Sequence, residues 1–235
     1  IYTLDSSDPD FIALHGGGLG QEQFTYKLQD ADGDTSQATL TLNVKNIDDP
    51  VTIDIDCGAL NIYEKHLAAG TEPYGPGTFV NGTLKVTAPD GLQSLSIAGI
   101  KVIENGHLVD FGTANLSTQT QLHNVLTVTG YDAASGTLSY SYHLLGAEQH
   151  ANGENANSLS ETFTVKATDS DRSTATASVT VNIIDDMPDA GAPLQASIVA
   201  GQPGDCAPGE VANLAGSLLA NGTFGADGGF VQIVI

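Results

Sequence analysis

"FTYKLQDADGDTSQATLTLNVKNIDDP", residues 24–50, returns further along as "FTVKATDSDRSTATASVTVNIIDDMP", residues 163–188. Phe24 recurs as Phe163, 139 positions on, and the pair Asp48–Asp49 recurs as Asp185–Asp186, 137 positions on. A third landmark keeps the order: "NGTLKVTAPDGLQSLSI" from Asn81 is echoed by "NGTFGADGGFVQIVI" from Asn221, an offset of 140. Three landmarks in one order at one period define a tandem repeat. The repeat divides the chain into the C-terminal part of one unit (1–50), a complete unit (51–189) and the N-terminal part of a further unit (190–235). The start, "IYTLDSSDPD", has neither Met nor a basic leader and reads as the interior of a longer polypeptide.

Each unit reads as β. In "ATLTLNV", Leu40, Leu42 and Val44 share one face while Thr39, Thr41 and Asn43 share the other; "ASVTVNI" repeats this with Val179, Val181 and Ile183. "TLSYSYHL" turns Leu138, Tyr140 and Tyr142 inward against Thr, Ser and His. "SLSIAGIKVI" and "NVLTVTGY" are further short strands, punctuated by Gly, Asn and Asp-Gly turn signals. "HLLGAEQHANGENANS" has room for a short helix but reads better as a loop. Short alternating strands with frequent turns predict an all-β sandwich rather than an α/β fold.

The chain carries 28 acidic against 7 basic side chains, a formal net charge of −21, and is 40% hydrophobic. That apolar fraction is enough for a core, so the acidity is not a signature of disorder. Seven scattered cations are a poor match for nucleic acid or an anionic membrane. There is no window of 18 or more apolar residues, so membrane insertion is not expected. Cys57 and Cys206 stand in unlike contexts and define no disulfide framework.

Two acidic knots carry the chemistry. In "DADGD", Asp30, Asp32 and Asp34 alternate around a Gly that permits a tight bend, a spacing able to converge on one hard cation. It is no EF-hand, lacking the twelfth-position Glu and flanking helices. Asp48 and Asp49 are adjacent at a strand end, where like charges a few ångströms apart repel by roughly 1 kcal/mol in water. A cation bridging them offsets that repulsion, and Glu64 in "NIYEKHL" is a candidate to complete the site. Pro50 and Pro188 stiffen the two linkers.

Catalytic readings are weaker. "HGGGLG" (15–20) has the look of an oxyanion-hole segment, but no G-x-S-x-G accompanies it, and it lacks the G-K-[ST] of a phosphate loop. Histidines 15, 66, 107, 123, 143 and 150 show no H-x-H or H-E-x-x-H spacing, so zinc is not expected. Acidic pairs that recur with the repeat do not fit a once-per-domain hydrolase site. "NGT" at 81 and 221 matches a glycosylation sequon but reads as a repeated turn. No enzyme activity is expected.

Together, the stretches quoted at 24–50 and 163–188, "GTLSYSYHL" and "NIYEKHLAAG…NGTLKVTAPDGLQSLSI" resemble the ~140-residue tandem repeats of large type I-secreted bacterial adhesins of the RTX kind. The resemblance implies Ig- or cadherin-like β-sandwich repeats joined end to end by short acidic linkers and rigidified by Ca2+. It implies an extender at the bacterial cell surface or outside the cell, supporting adhesion and biofilm formation. Its partners would be the neighbouring repeats, or other copies in a filament or matrix. Carried over by residue, the implied Ca2+ ligands are Asp30, Asp32, Asp34, Asp48, Asp49 and Glu64 at one junction. Asp169, Asp171, Asp185 and Asp186 are their counterparts at the next. "DSDRS" departs from the pattern: Arg172 replaces the Gly and Ser173 the third Asp, which predicts fewer ions or weaker binding there. Glu210 in "PGEVANL" is left unassigned. The alternatives are a carbohydrate- or protein-binding sandwich module and a filament subunit; the absence of Trp and the inward tyrosines weigh against sugar stacking.

Overall fold

The computed structural model describes residues 18–45, 49–56, 58–73, 75–153, 156–192 and 222–232, with Thr3 and Leu14 besides. Asp48, the Cys57 and Cys206 thiols, His15, Glu210 and the Asn221 sequon position lie outside the described residues.

The described elements are strands and one 3-10 turn. In chain order they are β1 (Leu19–Gln29), β2 (Thr35–Lys45), β3 (Thr52–Ile55), β4 (Leu60–Tyr63), the turn Glu64–His66, β5 (Phe79–Thr87) and β6 (Leu92–Ile97). After these come β7 (Ile100–Glu104), β8 (His107–Leu108), β9 (Ser117–Gln119), β10 (Val125–Asp132), β11 (Thr137–His143), β12 (Ser158–Asp169) and β13 (Thr174–Ile184). The segment 144–153 carries neither helix nor strand. No described helix is long and apolar enough to cross a membrane.

β3–β13 form a two-sheet sandwich. One sheet has the order β3-β5-β11-β10-β9 and the other β4-β13-β12-β6-β7-β8. The opening strand is split: β3 pairs antiparallel with β5, then the chain crosses over and β4 pairs parallel with β13. Lettered by position, β3-β5-β11-β10 are A-B-E-D and β4-β13-β12-β6-β7 are A′-G-F-C-C′, the immunoglobulin-type arrangement, with the short β9 and β8 added at the two edges. The fold class is therefore an all-β, Ig-like sandwich.

Period-2 alternation builds the core. β11 sends Leu138, Tyr140 and Tyr142 inward, β12 sends Phe163, Val165 and Ala167, and β13 sends Val179, Val181 and Ile183; all are buried. They meet Leu84, Val86, Leu95, Ile97, Leu126 and Val128 across the sandwich. Tyr142 donates its hydroxyl proton to Glu161 Oε2 at 2.5 Å, and the N–H of Leu122 donates to Glu161 Oε1 at 3.0 Å, so this buried carboxylate is satisfied. Burial, followed by that carboxylate, drives the Tyr142 phenol far above its ordinary value.

"NGT" is not a turn. Asn81, Gly82 and Thr83 lie inside β5, with Gly82 opposite Tyr140. A Cβ on Gly82 would fall 2.3 Å from Tyr140 Oη, so the glycine makes room for the tyrosine to lie across the strand.

β1 and β2 form an antiparallel hairpin whose pairing repeats that of β12 and β13: Phe24 faces Leu40 as Phe163 faces Val179. Both pairs obey the same offset of 139. The surroundings differ, since Phe24 is 44% exposed and Phe163 only 7%.

Candidate metal centres

A β-hairpin fixes where the acidic motifs go. The D-x-D motif sits at the tip, in the β1–β2 and β12–β13 turns, and the Asp-Asp pair follows the far end of the second strand. Eleven residues at ~3.3 Å per residue put roughly 36 Å between the two. Asp169 and Asp171 therefore lie at the opposite pole of the sandwich from Asp185 and Asp186. Asp30, Asp32 and Asp34 are likewise separated from Lys45, where β2 ends, by the length of that strand. The single-junction grouping drawn from the sequence does not hold in space.

Glu64 is also reassigned, away from Asp49 and beside Asp185. The parallel register pairs Ile62 with Ile183 and Tyr63 with Ile184, so the next residues, Glu64 and Asp185, emerge side by side.

The β1–β2 turn of the preceding hairpin and the β12–β13 turn, at the pole where the sandwich begins, keep the same backbone hydrogen bond but differ in capping. Asp30 N–H donates to Asp34 O at 3.0 Å and Asp169 N–H to Ser173 O at 3.1 Å. In the first turn Asp30 Oδ1 accepts the N–H groups of Gly33 (3.0 Å) and Asp34 (2.8 Å). A hydrogen bond shared with Asp32 comes first among the influences that hold Asp30 below the usual carboxylate range. Carboxylate oxygens of Asp30, Asp32 and Asp34 lie within 4.8 Å of one another, all three residues exposed. In the second turn Asp171 takes over the capping, accepting Ser173 N–H at 3.0 Å. Asp169 is 0% exposed; the Asp171 carboxyl and the backbone N–H groups of Ser173 and Val51 act on its carboxylate, yet neither oxygen reaches a hydrogen bond of ordinary geometry. Burial first, and the Asp171 carboxyl second, push its pKa up. Nearby, Asp49 N–H donates to Asp90 Oδ2 at 3.1 Å, and Ser170 N–H donates to Gly91 O at 2.9 Å. The pole thus gathers the linker, the Asp90–Gly91 turn and the Asp169–Asp171 turn, with oxygen donors only.

Arg172 occupies the place of Gly33, and both are left-handed, at φ 82° and 103°. The departure from the D-x-D-G-D pattern keeps the turn and places a bulky residue where glycine is favoured.

The opposite pole is built differently. Glu64 Oε1 accepts Glu148 N–H at 2.7 Å and lies 3.2 Å from His150 Nε2. Asp185 completes a group whose ligand-capable atoms all lie within 4.8 Å of one another. Burial is the main cause that raises Glu64 above its ordinary pKa. Asn124 clamps the approach, accepting Leu145 N–H at 2.8 Å and donating to Glu148 Oε1 at 2.6 Å. Asp186 is differently employed: Thr71 N–H (2.8 Å), Thr71 Oγ1 (2.6 Å) and Ala226 N–H (3.0 Å) all donate to its carboxylate. It latches the 71 loop to the 222–232 segment, which also pairs through Asp189 and Thr223. Asp227 follows in that segment, its pKa raised by burial first and then by Asp185.

Sequence spacing did not point to His150, Asp90 or Asp227. His150 stands 86 residues from Glu64 and 35 from Asp185, beyond the reach of any short motif. Asp90 and Asp227 were visible only as Asp-Gly turn signals, although their recurrence beside "NGT" was available.

The described fold is an Ig-like β sandwich with acidic groups at both ends. No family model matches the chain, and no curated protein matches it. Among solved structures, a mouse clustered protocadherin fragment, PcdhgC3 EC1-3, is similar at 14% identity and a TM-score of 0.29, over 77% of this chain. The match spans 46% of that chain, less than half its length. A likeness at that level assigns neither family nor function.

Proposed function

We propose that the chain is a calcium-stabilised extender segment of a large secreted or surface-anchored bacterial adhesin, with sandwich units following one another as 1–50, 51–189 and 190–235. In this reading it is a non-enzymatic spacer whose partners are the neighbouring repeats, exported by type I secretion and serving adhesion and biofilm formation. The tandem period and the adhesin-like motifs support the biological setting. The observation that carries the calcium reading is Asp169: a fully buried carboxylate with no hydrogen bond of ordinary geometry, next to a second carboxylate, in an all-oxygen setting. A buried charge of that kind is costly unless paired, and Ca2+ prefers six to eight oxygen ligands. Asp171, Asp90 and Asp49 are the residues that would share the ion. Ca2+ would supply charge neutralisation and cross-linking of the linker to the two turns. At the other pole Asp185 and Asp186 continue into the next linker, and Asp30, Asp32 and Asp34 form the corresponding tip of the preceding hairpin.

The mechanism is linkage. Low cytosolic calcium leaves the acidic poles repelling, and millimolar calcium outside the cell pulls folding forward, against dissociation constants of ~10⁻⁴–10⁻³ M for extracellular modules. The test is small-angle scattering on the chain with CaCl2 and with EDTA. Calcium is expected to lengthen and stiffen the particle; identical profiles would sink the reading. One observation favours a binding module instead: Phe79, exposed, stacks on His143 with ring centroids 3.7 Å apart. A glycan array tests that alternative.

A further inference from the structure

We propose that Glu64, His150 and Asp185 form a mixed imidazole–carboxylate site for a zinc-class divalent cation, so that the two poles of the sandwich select different metals. The argument begins at Asn157. Its Nδ2 donates to Ala151 O at 2.8 Å, which orients the amide and leaves Oδ1 as the acceptor facing His150 Nδ1 at 2.8 Å. His150 Nδ1 therefore carries a proton, so in the neutral form of the ring the lone pair sits at Nε2.

That lone pair is buried, the His150 side chain being 4% exposed and that of Glu64 0%. Nε2 lies 3.2 Å from Glu64 Oε1, two acceptors face to face. A proton on Nε2 would turn the contact into an ion pair with Glu64 Oε1, partly offsetting the effect of burial on Glu64, but the contact falls short of ordinary hydrogen-bond geometry. Nor would it serve Glu64 Oε2 and Asp185 Oδ1, which are also buried without a hydrogen-bond partner. Each of the three residues, from three segments of chain, holds a buried atom without a hydrogen-bond partner, and ligand-capable atoms of all three lie within 4.8 Å of one another. A single cation satisfies all three at once.

The donor set chooses the metal. Imidazole nitrogen suits zinc-class ions, whereas Ca2+ takes oxygen almost without exception. The 3.2 Å separation also matches the ~3.3 Å edge of a tetrahedron with bonds of ~2.0–2.1 Å, the zinc geometry. The surrounding contacts are those of a metal-binding histidine: the other ring nitrogen donates to a fixed acceptor, Asn157. Asn157 also accepts Asp185 N–H through its main-chain oxygen at 2.9 Å, so one residue orients two ligands. Asp227, beside Asp185, and solvent complete the shell.

The proposal is independent of calcium at the first pole. The experiment strips the 235-residue chain of metal and titrates it with ZnCl2 in about 10 mM CaCl2, at or above the ~10⁻³ M upper range of extracellular calcium sites. We expect Zn2+ to bind in the presence of calcium, H150Q to weaken it at least ~100-fold, and N157A to weaken it ~10–100-fold. In parallel, the imidazole nitrogen spectrum of the unaltered chain should show Nε2 of one histidine moving on Zn2+ addition while its Nδ1 keeps its proton. This second readout decides the matter even where H150Q fails to fold. No Zn2+ binding above calcium, equal affinity in H150Q, or a His150 ring protonated on both nitrogens and unmoved by Zn2+ would each overturn the assignment.

Discussion

Replacing Asp169 with Asn keeps the shape of the side chain and removes its charge. The carboxylate is fully buried beside Asp171 and has no hydrogen bond of ordinary geometry, so in chelator it opposes folding. The amide is still a buried polar group, so the gain comes from removing the charge that faces Asp171, about 1–3 kcal/mol in the metal-free domain. The sandwich spans 133 residues from Thr52 to Ile184. At ~2.1 cal/mol/K per residue its unfolding entropy is about 0.28 kcal/mol/K, so D169N in EDTA should melt roughly 4–10 °C above the unsubstituted chain. Calcium should act in the opposite sense. At ~10–100 times its Kd a single site adds about 1.4–2.7 kcal/mol, which raises the unsubstituted chain by roughly 5–10 °C. D169N should lose most of that gain, so the gap between the two melting curves that is open in EDTA closes in CaCl2. Calorimetric scans under both conditions read it directly. A D169N chain that melts lower in EDTA and keeps the whole calcium shift would refute the reasoning.

Three other expectations follow from single positions. Arg172, held at φ 82°, should be improved on by glycine: R172G is expected to gain about 0.5–1 kcal/mol in urea unfolding, the left-handed strain less the added freedom of the unfolded chain. G82A drives a Cβ against Tyr140 Oη and should cost about 1–3 kcal/mol by overpacking; unchanged stability would mean the ring moves freely. Tyr142 is a phenol whose folded pKa is raised, so above pH ~10 the unfolded chain loses a proton that the native state keeps. Stability should therefore fall by about 1.4 kcal/mol per pH unit there, and Y142F, although weaker at neutral pH for want of the bond to Glu161, should show a shallower alkaline slope.

The sequence carried the local physics. Alternation marked β11, β12 and β13 and placed Tyr140 and Tyr142 inward, because a pleated strand with one buried face has a period of two and no other solution. The repeat of Phe24 at Phe163 anticipated two hairpins of identical register. The acidic turns were legible too, since Asp and Gly at those spacings have few other uses. "NGT" was misread as a turn because Gly82 serves a neighbour 58 residues away, Tyr140, which only pairing brings opposite.

The composition of the poles was decided by the tertiary structure. Acidic residues close in sequence are separated by the length of a strand, because a hairpin sends its tip and its ends to opposite poles. Residues far apart in sequence are joined, because the chain crosses between sheets after β3 and runs β4 parallel to β13, setting Glu64 beside Asp185. His150 reaches them from a loop with no periodicity of its own, held by Asn124 and Asn157. A one-dimensional motif records which side chains are available to a cation; the strand register records which of them can meet.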